Sequence, residues 1–315
     1  MNSRRARRLL GTAPVLVALA LGVAACGGGG AAQPGAGGAI SVVASTNVWG
    51  SVVRAVGGDH VQVTSIVNDP SADPHSYQAS AVDAAEVQSA QLLVYNGGGY
   101  DDFFAQLAGQ VTGAKPIVAF TGETEHGEQP HGSEGGHDHG GVNEHVWYDP
   151  HVVAAVADQV ATRLGEIDPA QRETFTGNAG AFTAKLHELE AQIVKIGTDH
   201  PGRKVVATEP IAHYLLEAAG VTDATPHDFA EAVENETDVP VAAQQEVTDL
   251  VSGKQVQAVV NNTQTVTPVT EKVIGTARDA GVPVVEVTET LPEGTTDYIA
   301  WMSGQVNALA GALSK

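Results

Sequence analysis

Four histidines, His126, His131, His137 and His139, stand among acids and glycines in the tract 121–141, and a fifth, His145, follows at once. Neutral imidazoles and carboxylates are the protein's borderline and hard metal ligands. A tract that carries both and hardly an apolar side chain gathers divalent transition metal rather than packing a core. Its glycines and acids give it no means of fixing four ligands in one rigid geometry. The tract therefore reads as an auxiliary collector, and a firmer site must be built by the rest of the chain.

Four residues are candidates for that site. His75 lies in Asp73-Pro74-His75-Ser76-Tyr77, His145 in Glu144-His145-Val146-Trp147-Tyr148-Asp149-Pro150, Glu209 directly after Lys204-Val205-Val206-Ala207-Thr208, and Glu289 at the close of Val284-Val285-Glu286-Val287-Thr288. Two imidazoles with two carboxylates would neutralise a dication. His213, one helical turn beyond Glu209, competes with it as third ligand. Each residue alone reads more readily as a surface histidine, a helix cap or a solvated charge than as a ligand.

The elements that must position these residues are legible as alternating patterns. Short β-branched runs recur at 40–46, 61–67, 91–95 and 115–120, separated by helical stretches near 48–57, 80–89 and 101–110. This alternation predicts βαβ units and a parallel sheet. A helix over 149–167 follows. A second series has strands near 203–208, 256–261 and 284–288, with helices near 210–219, 240–252, 268–280 and 296–313. The expected fold class is α/β, with two lobes, each a parallel sheet flanked by helices. Such sheets bind ligands beyond the carboxyl ends of their strands, which is where all four candidates fall.

Between the two series, Phe175, Ala179, Phe182, Leu186, Leu189, Ile193 and Ile196 are spaced alternately four and three apart, one apolar stripe on one helix. Asp168 suits the N-cap, Pro169 the first helical position and Gly197 the stop, so the helix is expected over 168–198. About 28 residues at 1.5 Å each give about 42 Å, enough to run along both lobes as a stiff connector. The lobes are then 40–167, carrying the histidine tract, and 199–315.

The N-terminus has Arg4, Arg5, Arg7 and Arg8, an apolar run over 9–23 and then Ala24-Ala25-Cys26-Gly27, the layout of a secretory signal over 1–25. Val23-Ala24-Ala25-Cys26 resembles a bacterial lipobox, in which the cysteine is lipidated. Cys26 is the only cysteine and can form no internal disulfide. The glycine-rich stretch 26–39 reads as a flexible tether. Without residues 1–25, 12 basic side chains face 37 acidic ones, a formal charge of −25 with histidine neutral, which argues against a nucleic-acid partner and favours cations.

Taken together, Asp73-Pro74-His75-Ser76-Tyr77 with Ser80 and Asp83, the histidine tract followed by His145-Val146-Trp147-Tyr148-Asp149-Pro150, Thr208-Glu209-Pro210-Ile211-Ala212-His213-Tyr214, and Thr288-Glu289-Thr290-Leu291 resemble the four metal motifs of the zinc and manganese substrate-binding lipoproteins of bacterial ABC importers. The resemblance spans nearly all of the chain after the signal. It implies a monomeric, lipid-anchored, extracytoplasmic receptor that hands a divalent ion to a permease and its ATPase. Its zinc members carry such a tract and usually place histidine at the third motif, where manganese members place glutamate. At the fourth motif the family usually has aspartate. Gln78-Ala79 also departs from the glutamate and proline often found there. The tract thus argues for Zn2+, and Glu209 with Glu289 for the alternative, Mn2+; nitrogen and oxygen donors bind zinc more tightly whichever ion is served. Five histidines in twenty residues favour Zn2+. A secreted zinc hydrolase is the rival of another class, but the chain has no H-E-x-x-H: His187-Glu188 is followed by Leu189-Glu190-Ala191. An adhesin or metal store would share the site and differ in its partner.

Overall fold

A computed structural model describes residues 38–113, 115–120, 122 and 143–314. Cys26 and the signal, most of the tether, and the histidines of the tract lie outside the described residues. The described residues from Gly38 onward form a single compact unit.

Two four-stranded parallel sheets carry the architecture. In the first, β1 (Ile40–Thr46), β2 (Val61–Val67), β3 (Leu92–Tyr95) and β4 (Ile117–Val118) are ordered β2-β1-β3-β4. In the second, β5 (Lys204–Ala207), β6 (Thr222–Asp223), β7 (Ala258–Asn262) and β8 (Val284–Val287) are ordered β6-β5-β7-β8. Every pairing is parallel, so the two halves repeat one topology. The helices are α1 (Asn47–Gly57), α2 (Ala81–Ser89), α3 (Asp102–Ala108), α4 (Pro150–Ile167), α5 (Arg172–Asp199), α6 (His213–Ala218), α7 (His227–Glu234), α8 (Val241–Ser252), α9 (Pro268–Ala280) and α10 (Tyr298–Leu313).

Side chains alternate across a strand, and the core follows that period. Val42, Ala44, Leu92 and Val94 of the first sheet share one cluster with Val205, Ala207, Ala258, Val260, Val285 and Val287 of the second. The intervening positions, Val43 and Leu93 on one side and Val206 and Val259 on the other, face separate outer clusters under α3 and under α7 to α9. The two inner faces thus meet in a continuous apolar core, completed by α1, α4, α5 and α10.

Helix α5 supplies the middle of that core. All seven stripe residues from Phe175 to Ile196 are buried, as the spacing requires. Its ends differ from expectation. Asp168 caps a 3-10 turn, Pro169–Gln171, by accepting from the Ala170 amide, and the α-helix begins only at Arg172. Gly197 does not stop it, since the helix runs on to Asp199. A Cβ at 197 would stand 2.5 Å from the Ala219 carbonyl oxygen, so this glycine lets α5 lie against the end of α6. The expected strand 115–120 shortens to two residues, and the stretch 210–219 divides into a 3-10 turn at Pro210–Ala212 and α6. Strand β6 and helix α7 were not anticipated from the sequence.

Candidate metal centre

The carboxyl ends of the strands in both sheets converge on one small cavity. Its lining includes Asp73, His75, His145, Glu209, Glu234 and Glu289, and its volume is about 20 Å³. That is the room of one or two water molecules, which suits a single ion and no organic substrate.

His145 is the most deeply fixed of these groups, 1% exposed. Its segment is placed from both halves. The Asn96 amide donates to the Glu144 carbonyl at 2.8 Å, and Gly97 and Gly98 after β3 adopt positive φ (83° and 70°). A Cβ on Gly98 would fall 2.1 Å from the Phe120 ring, so only glycine lets this turn lie under the segment that leads to His145. From the second half, Tyr214 donates to the Asn143 carbonyl at 2.6 Å, Asn143 donates to the Pro210 carbonyl at 2.8 Å, and Tyr148 donates to the Thr288 carbonyl at 2.8 Å. The Asn143 side-chain oxygen lies 2.9 Å from His145 Nδ1 and also accepts from the His145 amide. As acceptor it holds the proton on Nδ1 and turns the Nε2 lone pair into the cavity. Burial, then the neighbouring His75 and His213, pushes this imidazole well below its usual pKa, so it stands neutral, the state a metal requires.

Glu289 enters from the loop after β8 and is 2% exposed. Gln264 accepts from its amide at 2.6 Å and donates to the Ala72 carbonyl at 3.1 Å, tying it to the loop that bears His75. Asn262, at the end of β7, donates to Glu289 Oε1 at 2.8 Å and also to Glu209 Oε2. Burial, followed by the charge of Glu209, pushes Glu289 up to about 8. Burial likewise pushes Glu209 up to about 7 against the lowering effect of Asn262 and Thr265. Asn47 and Leu291 exchange two hydrogen bonds at 3.0 and 2.9 Å, a further clamp between the halves beside the site.

Of the four predicted ligands, His75, His145 and Glu289 offer ligand atoms all within 4.8 Å of one another. Glu209 lines the same cavity, with one oxygen held by Asn262. His213 does not line it; its ring is half exposed on α6, 3.9 Å from Glu217. Sequence reasoning missed Glu234, at the end of α7, whose Oε1 lies 3.9 Å from His75 Nε2 and 3.7 Å from His145 Nε2. The apolar triplet Phe229, Ala232 and Val233 is the signal that marks α7, and all three are buried. Burial, then Glu144, Glu209 and Glu289, pushes Glu234 up to about 9.

Around the cavity His145 Nε2 and Glu234 Oε1 are buried without a hydrogen bond, and Glu289, whose Oε1 accepts from Asn262, has the Tyr100 hydroxyl as a further neighbour. Unpaired polar atoms are costly to bury, and a divalent cation between two acids and a neutral imidazole satisfies both at once. The two like sheets and the ion-sized cavity at their strand ends, lined by imidazoles and carboxylates, suit capture of a single cation. The model of the family "zinc-uptake complex component A periplasmic" (ZnuA) matches residues 42–312, and the chain belongs to that family. It is accordingly a metal-binding receptor of the ABC-importer type and not an enzyme.

The zinc-binding lipoprotein AdcA of Streptococcus pneumoniae is 24% identical over 291 residues, covering 88% of this chain and 56% of that relative. The manganese ABC transporter substrate-binding lipoprotein PsaA of the same species is 24% identical over 224 residues, 69% of this chain and 71% of that protein. The fold matches the solved periplasmic zinc-binding protein TroA of Treponema pallidum with a TM-score of 0.72 at 19% identity, over 88% of this chain and all of that one. Among the described residues no helix is long and apolar enough to cross a membrane.

Proposed function

We propose that the chain is a lipid-anchored extracytoplasmic receptor that captures Zn2+ with His75, His145, Glu209 and Glu289 and hands it to the permease and ATPase of an importer, acting as a monomer. Residues 1–25 serve as the signal, Cys26 as the anchor, 26–39 as the tether, and His126, His131, His137 and His139 as weak collecting sites. The observation that carries the reading is the convergence of unpartnered imidazole and carboxylate atoms on a cavity the size of one ion. Relatives named for zinc and for manganese both support capture of a divalent metal. The histidine tract favours zinc. The carboxylates of the cavity favour the second reading, manganese, because oxygen donors suit the harder ion. The test is elemental analysis of the protein isolated from its own cells grown with both zinc and manganese, with His145→Ala as control. Zinc at one equivalent, lost in His145→Ala, is expected; manganese alone at one equivalent would replace the first reading with the second.

A further inference from the structure

The two halves repeat one strand order, so their loops can be compared position by position. The loop after the fourth strand of each sheet carries a deep cavity residue, His145 in the first half and Glu289 in the second. The third strands lead to Asn96 and Asn262, each an amide that holds a cavity segment in place. The loop after the outer strand β2 carries His75. Its counterpart after β6 is the segment containing α7, which ends on Glu234.

We infer that Glu234 is a ligand of the captured ion, delivered by α7 as the second half's counterpart of His75. The inference rests on the reading of the cavity as a metal centre and adds a donor to it. The distances of 3.9 and 3.7 Å from Glu234 Oε1 to the two imidazole Nε2 atoms are too long for hydrogen bonds. An ion about 2.1 Å from each atom sets a nitrogen–oxygen separation of about 3.4 Å in tetrahedral geometry, so a shift of less than about 0.5 Å completes the shell. Both Glu234 Oε1 and His145 Nε2 are buried without a partner, and His145 is 99% enclosed at 1% exposure. Helix α7 cannot take this position through charge alone, since Glu144, Glu209 and Glu289 all repel an ionised Glu234. What holds it is the anchorage of Phe229, Ala232 and Val233 in the outer cluster of the second sheet. A cation at the cavity would take the place of the Glu234 proton, offset that repulsion and fasten α7 to the first half.

The test uses the full mature protein, Glu234→Gln and Glu234→Asp, with zinc and manganese titrated separately against a chelator and amide hydrogen exchange followed over 227–239. The wild type is expected to gain protection in that segment on metal binding. Glu234→Gln is expected to bind at least tenfold more weakly and to lose the gain, and Glu234→Asp, which keeps the charge on a shorter arm, to fall between. Binding within threefold of wild type, or an unchanged gain of protection in Glu234→Gln, overturns the role of Glu234. Tight binding that survives His145→Ala overturns the metal centre itself, so the two failures are distinct. The metal-free melting temperature of each variant establishes that it folds.

Discussion

If this cavity captures the metal as proposed, binding must release protons, and the number released identifies the ligands. In the metal-free molecule Glu289, Glu209 and Glu234 are pushed up to about 8, 7 and 9 by burial and by one another. At pH 7 they therefore hold roughly 0.9, 0.5 and one proton respectively. A dication must displace the protons of the carboxyls it binds. The carboxyls of a shell with Glu209 and Glu289 would thus release about 1.4 protons at pH 7, and those of one that also includes Glu234 about 2.4. His145, already neutral, releases none. Between pH 7 and 8.5 the same linkage raises affinity by roughly 15-fold for the first shell and by several hundredfold for the second. Calorimetric titration of zinc in buffers of different ionisation heat counts the protons, and chelator competition at each pH gives the affinity. A release near zero at pH 7, with affinity flat to pH 8.5, would refute the claim that buried, protonated carboxyls are the ligands.

The same groups govern stability. Because the three carboxyls bind protons more tightly folded than unfolded, the metal-free protein is expected to lose melting temperature as pH rises from about 7 to about 9; saturation with zinc should flatten that decline. The depressed His145 acts in the opposite sense only below its ordinary value of about 6.5, outside this window. A metal-free melting temperature that rises over this range would contradict the burial argument. Asn143→Ala should weaken zinc binding about 10- to 100-fold, since it removes the acceptor that fixes the His145 tautomer without removing a ligand. Binding unchanged in that variant would show that the ring is oriented by packing alone.

Most of the frame was readable because it obeys simple periods. The seven β-branched runs became seven of the eight described strands, and the four-three spacing from Phe175 to Ile196 became the buried face of α5. His75, His145 and Glu289 could be placed because residues following parallel strands face the ligand side. What escaped reading depends on neighbours distant in sequence. Strand β6 is two exposed residues at a sheet edge, Thr222 and Asp223, too short and too polar to show any period. Glu234 lies among Glu231, Asn235 and Glu236, a composition that reads as a solvated surface, and only the folding of α7 against the second sheet turns it inward. Gly197 carries the signal of a helix stop, whereas its absent side chain serves a contact with Ala219. The link from Asn262 to both Glu209 and Glu289 joins three chain segments and has no local signature.

The proposed ligands differ in depth, and the contacts between the halves follow that difference. Rotation of one half against the other would split the shared core and break the clamps between Asn47 and Leu291, Tyr148 and Thr288, and Gln264 and Ala72. Those same clamps hold the His145 and Glu289 segments, whose side chains are almost wholly enclosed. His75 and Glu234 are the shallow pair, with side chains 31% and 21% exposed. Beside them opens a groove of about 630 Å³ lined by Asp73, Ser76, Glu236, Thr237 and Thr265. Their carriers are a loop tied to Gln264 through Ala72 and a helix of eight residues anchored by Phe229, Ala232 and Val233 in the outer cluster of the second sheet. On the proposed assignment, the shallow pair is the side from which an ion would be uncovered, while the clamps keep the deep pair in register.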